Sequence, residues 1–141
     1  MSSWGPPRAS IEAECRLRGH DAVVAGCRSL LREEEVDHAL LVALAGPPAS
    51  LFAPGMPPRQ DRYWLRVWGA RGLLWAWDAA ALPELRAATR DDAWRVRELA
   101  MKVVARHGVD DLLDESLALR DDPVLRVRAA ASRAVASLTA S

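Results

Sequence analysis

Cys15, His20, Cys27 and His38 are the side chains in the first third of the chain best suited to hold a metal or to act as nucleophile and base. Zinc sites usually bring their ligands in closely spaced pairs, such as two cysteines separated by two residues. The gaps between these four fit no such pattern, so no metal site is expected. Catalytic signatures are missing too. There is no Gly-x-Ser-x-Gly elbow, and neither cysteine stands in a nucleophile signature. Gly69-Ala70-Arg71-Gly72 lacks the Lys-Ser/Thr ending of a phosphate loop. His107 precedes Gly108 and reads as a helix C-terminal residue, where partial positive charge suits the helix dipole. The expectation is a non-enzymatic protein with no cofactor and with two half-buried free thiols, since free cysteine packs as a small apolar residue.

Tryptophan and arginine are the more informative residues. Six tryptophans are many for 141 residues. Trp64, Trp68, Arg71 and Trp75 fall at i, i+4, i+7 and i+11, one face of a single helix. The apolar stripe expected on that helix, Val67, Ala70, Leu74 and Trp77, is offset from them. Either other elements cover the Trp–Arg stripe, or it is an exposed surface of the residue types most common at binding hot spots. Trp94, Arg95 and Lys102 form a second group of the same kind.

The elements that must position these residues read as helices throughout. Half the residues are apolar, which excludes a disordered chain, and the length suits one domain. Nineteen basic and nineteen acidic residues cancel, so total charge gives no signal for nucleic acid or an acidic membrane. The longest apolar run, Ala39 to Ala45, is far too short to span a bilayer. No secretory leader is evident in Met1 to Pro7, so a cytoplasmic location is expected.

Residues 1–8 read as a loose tail. Helical periodicity fills 9–45: about Ala9–Arg18 with Ser10 as N-cap, Asp21–Glu33, and Glu35–Ala45. Residues 46–60 hold five prolines and two glycines, which breaks any helix. A Pro-rich loop is expected there, pinned by Leu51, Phe52 and Met56. Helices then resume at about Asp61–Trp77, Ala79–Arg90, Ala93–Arg106, Asp110–Arg120 and Pro123–Leu138. No segment sustains the alternation of a strand.

Three of these segments share a phrase: Asp61-Arg62-Tyr63-Trp64-Leu65-Arg66-Val67, Asp91-Asp92-Ala93-Trp94-Arg95-Val96-Arg97, and Asp121-Asp122-Pro123-Val124-Leu125-Arg126-Val127-Arg128. The Arg-Val step recurs after 29 and then 31 residues. An apolar stripe follows each step, Val96, Leu99, Ala100 and Val103 in the second copy and Val127, Ala130, Ala131, Ala134 and Leu138 in the third. This resembles the HEAT repeat, in which helix A, an Asp- and often Pro-bearing turn, and a helix B opening on Val-Arg form one hairpin. The match is clearest over Leu82–Leu138. The first copy departs from it, with Trp68 where the others carry Arg97 and Arg128.

The resemblance implies an all-α fold, an α–α superhelix of about seven helices in a single domain, residues 1–141, with the repeats over 61–138. Single hairpins cannot cover their own apolar stripes, so neighbours must stack. The resemblance also implies a ladder of turn aspartates and helix-B arginines, here Asp91, Asp121, Arg97 and Arg128. Some HEAT-like enzymes bind iron through His-Glu pairs, and no such dipeptide occurs in this sequence. The expected role is an interaction module or scaffold that binds a protein or peptide along its B helices through Trp64, Trp68, Arg71, Trp75, Trp94, Arg95 and Lys102. The alternative is nucleic-acid binding by a basic, Trp-bearing concave face, as in HEAT-like DNA glycosylases. Self-association through the Ala-rich last helix (Ala129, Ala130, Ala131, Ala134, Ala136) is left open by the sequence.

Overall fold

A computed structural model describes residues 6–140, and among these every regular element is helical. The eight α-helices are α1 (Pro7–Arg18), α2 (His20–Leu31), α3 (His38–Ala45), α4 (Tyr63–Leu73), α5 (Leu82–Ala88), α6 (Trp94–His107), α7 (Leu113–Leu119) and α8 (Leu125–Thr139). Short 3-10 segments lie at Pro47–Phe52, Ala79–Ala81 and Asp110–Leu112. None of these helices is long and apolar enough to cross a membrane. The chain forms two compact units, Met1–Asp78 and Ala79–Ser141.

In the first unit α1 packs on α2 and α3, and α4 packs on α2 and α3. Helix α1 starts at Pro7, earlier than its periodicity suggests, because proline suits the first helical turn. Ser10 therefore lies inside the helix, and its hydroxyl donates to Ala43 O of α3 (2.8 Å). Helix α2 stops at Leu31, and Glu33 adopts a left-handed φ of 55°. The chain then restarts at Asp37, whose carboxylate caps α3 by accepting from Leu40 N at 2.9 Å.

The α2–α4 contact explains the glycines of α4. A Cβ on Gly69 would sit 2.8 Å from Cys27 O and 3.0 Å from Leu30 Cβ, and one on Gly72 would sit 2.4 Å from Cys27 Sγ. These glycines form a seam on which the two helices approach closely. Cys27 is sealed there, and burial pushes its thiol up to about 12. Cys15 is half-buried and also raised, by burial and by Glu12 and Glu14.

Residues 46–60 are only partly irregular. Pro47 and Pro48 open the 3-10 turn, whose Ala49 is fully buried. Phe52 meets the edge of Trp68 in a T-shaped contact at 5.5 Å. Leu51 and Met56 are exposed, so Phe52 and Ala49 do the pinning.

In the second unit α5 packs on α6, α6 on α8, and α7 on α8. The cores of α6 and α8 are Val96, Ala100, Met101, Val103 and Val104 against Val127, Ala130, Ala131 and Ala134. The turns before α6 and α8 are built alike. Asp91 accepts from Ala93 N (2.8 Å), and Asp122 accepts from Val124 N (2.9 Å). Arg97 Nη1 donates to Asp91 O (2.7 Å), and Arg128 Nη1 donates to Asp122 O (2.8 Å). The two turns therefore correspond at a constant spacing of 31 residues. Asp122, not Asp121, is the counterpart of Asp91, which moves the aspartate of the implied ladder by one residue. The physical reason is the Asx turn: the carboxylate must reach the N–H two residues on, and from Asp121 that residue is Pro123, which has none.

Candidate functional site

The seven residues singled out from the sequence fall into two groups, one in each unit. In the first unit Trp68 is 4% exposed and lies in the core, between Phe52 and the stacked ring of Trp64 at 6.4 Å. Trp64 also stacks on Tyr63. Arg71 is half-buried and donates Nη2 to Leu44 O at 2.6 Å, and burial lowers its pKa. Helix α4 ends at Leu73, so Trp75 stands in the turn beyond it, where the Arg8 guanidinium covers its ring at 4.9 Å. The expected stripe of four along one helix therefore breaks after Arg71.

The offset between stripe and core also disappears. Helix α4 buries Leu65, Val67, Trp68, Ala70 and Leu73, while Leu74 and Trp77 are only half-buried. A helix packed against α2, α3 and Phe52 has no single inner edge, so a seven-residue pattern could not separate core from surface.

In the second unit Trp94, Arg95 and Lys102 belong to one continuous patch on α6 and α8. Trp94 opens α6 and is half-buried. Two guanidinium groups lie over its ring, Arg95 at 4.5 Å and Arg126 at 5.3 Å from the centroid. Arg126 also donates Nε to Glu98 Oε2 at 3.0 Å, and Lys102 Nζ stands 3.7 Å from the same oxygen. Glu98 is only 6% exposed, so its charge needs these cations. One carboxylate thus fixes two cations beside one indole, and each cation keeps a solvent-facing side: the Arg126 side chain is 65% exposed and that of Lys102 is 40% exposed.

The sequence reading missed Glu98 and Arg126 as members of this patch. Both left signals. Glu98 and Lys102 are an i, i+4 pair of opposite charge, and Arg126 is the repeat counterpart of Arg95 at the 31-residue spacing.

Among the described residues no group of three or more His, Cys, Asp or Glu is arranged to hold a metal ion. A cavity of about 360 Å³ in the first unit is lined by Leu30, Leu41, Phe52 and Leu65 with Glu33 and Arg62 at its wall. Glu33 there is bound by both Arg62 and Arg66, so its charge is already met. No protein-family model, curated protein or solved structure matches the chain.

Proposed function

We propose that this chain is a non-enzymatic interaction module of the HEAT-like kind, an α–α superhelical stack that binds an acidic protein or peptide segment on its B-helix surface. The observation that carries this reading is the Trp94 ring held between Arg95 and Arg126 with Glu98 fixing the arrangement. An indole offers apolar area at little conformational cost, and the flanking guanidinium groups supply directional bonds to carboxylates. Glu98 holds the side chains before any ligand arrives, which lowers the entropy lost on binding. The repeated turns at Asp91 and Asp122 support the HEAT-like reading, since each ties a turn aspartate and a helix-B arginine together in the same way.

The residues assigned to binding are Trp94, Arg95, Lys102 and Arg126. Trp68 is left out because its ring is in the core. A nucleic acid would use the same cations, and its affinity would fall steeply with salt.

Selection from a displayed peptide library tests the reading. The chain should enrich acidic sequences containing apolar residues, and Trp94→Ala and Arg126→Ala should each lose the enrichment while keeping native helicity. Enrichment unchanged by both substitutions would sink the assignment. Retention of single-stranded DNA that vanishes at moderate salt would favour the nucleic-acid alternative.

A further inference from the structure

Arg97 and Arg128 are counterparts in the two repeats, and they use their guanidinium groups differently. Each donates Nη1 to the carbonyl of its own turn aspartate. Arg97 then turns its other edge on the next turn, with Nε to Asp122 Oδ2 at 2.8 Å and Nη2 to Asp122 Oδ1 at 3.2 Å. The equivalent edge of Arg128 meets no carboxylate among the described residues. It is a two-pronged carboxylate site of which an occupied copy exists in the same unit.

What α6 offers to α8 differs from what α8 itself presents. Beside Arg97, the side of α6 facing α8 includes Glu98, which takes Arg126, and Ala105, whose carbonyl takes the Ser137 hydroxyl at 3.2 Å. Met101, one turn from Glu98, is fully buried. The counterparts on α8, 31 residues on, are Arg128, Ala129, Ala136 and Ser132. A further hairpin of the same kind would bring an arginine onto Ala129, where no carboxylate waits, and would cover a serine where methionine sits. Of the charged side chains at these four positions only the arginine fork is retained.

The same end of the unit offers the complementary charge. Asp121 is exposed, and its carboxylate makes no hydrogen bond or ion pair among the described residues. It lies just before the start of α8, seven residues ahead of Arg128. Leu125, between them, is 68% exposed. A donor fork, an acceptor and an apolar side chain close together in the chain form a self-complementary set. Such a set suits an isologous interface, in which residue i meets residue j and j meets i.

We propose that two copies of this chain pair about a two-fold axis at the start of α8, each Arg128 taking the carboxylate of the opposing Asp121. Leu125, midway between the two groups in the chain, would be buried beside the ion pairs.

Sedimentation equilibrium of the full chain tests this, on the unaltered chain, Arg128→Asp, Asp121→Arg, and an equimolar mixture of the two variants. The unaltered chain should show a concentration-dependent dimer. Each variant alone faces like charges across both contacts and should pair at least about tenfold more weakly. In the mixture, the two substituted side chains carry opposite charges and meet at one contact, while the native Asp121 and Arg128 meet at the other, so pairing should return. Asp121→Arg alters an exposed side chain, so its circular dichroism should be native and its loss of pairing cannot come from unfolding. A chain that stays monomeric to millimolar concentration overturns the proposal. So do variants that pair as the unaltered chain does, and a mixture that pairs no better than its components.

Discussion

Arg97 of α6 holds the carboxylate of Asp122 with two parallel bonds, Nε to Oδ2 at 2.8 Å and Nη2 to Oδ1 at 3.2 Å. The pair is almost out of solvent, with the Arg97 side chain 14% and the Asp122 side chain 4% exposed. Nη1 of the same guanidinium reaches back to Asp91 O. One side chain therefore ties the turn before α6 to the turn before α8, and it sets how the two helices stack.

Breaking this pair should be costly. Removal of one partner from a buried ion pair leaves an uncompensated charge, which costs about 3–5 kcal/mol. Asp122→Ala also removes the bond to Val124 N. Asp121→Ala, one residue away and exposed, should stay within about 0.5 kcal/mol of the unaltered chain in dilute solution. Urea denaturation of both variants makes the comparison, and equal losses would contradict the assignment of Asp122 as the buried partner of Arg97.

The same carboxylate predicts a pH dependence. Burial pushes the Asp122 pKa up, but the bonds from Arg97 and Val124 N outweigh it and hold the group below its ordinary value. A pKa lowered by folding gives stability that is fully present above the unfolded value, about 3.9. That stability is lost as pH falls through the folded value. The unfolding midpoint should therefore drop below about pH 4, and Asp122→Asn should flatten the drop while lowering stability at neutral pH. Asp37, held low by Arg18 and the Leu40 N–H, is exposed and should contribute little to this profile.

The seam between α2 and α4 makes a third prediction. A Cβ at Gly69 meets the Cys27 backbone oxygen at 2.8 Å, which no rotamer change relieves. Gly69→Ala should therefore destabilise the first unit by about 1–3 kcal/mol, although alanine is the better helix former by about 1 kcal/mol. A thermal melt showing Gly69→Ala to be stabilising would refute the close approach.

Much of the fold is legible in the sequence itself. The helical periods of α6 and α8, the proline-rich break and the recurrence of Asp-x-x-x-Arg-Val-Arg are local patterns, and local patterns follow from backbone geometry and side-chain spacing. The all-α architecture can be read from them. The Arg126 and Glu98 members of the surface patch are written in the repeat spacing and in an i, i+4 pair, but reading them requires knowing that α6 and α8 lie side by side.

Three features departed from the expected site, one through a tertiary contact and two through local backbone structure. Trp68 went to the core because Phe52, from a segment that looks irregular in sequence, closes over it. Trp75 left the helix face because α4 ends at Leu73. The aspartate paired with Arg97 is Asp122 and not its neighbour: Asp122 accepts from Val124 N, whereas Pro123 leaves Asp121 without an N–H to accept from two residues on. Sequence determines which side chains are available and the period at which they recur; which of them is buried, as Trp68 is beneath Phe52, depends on distances between segments far apart in the chain.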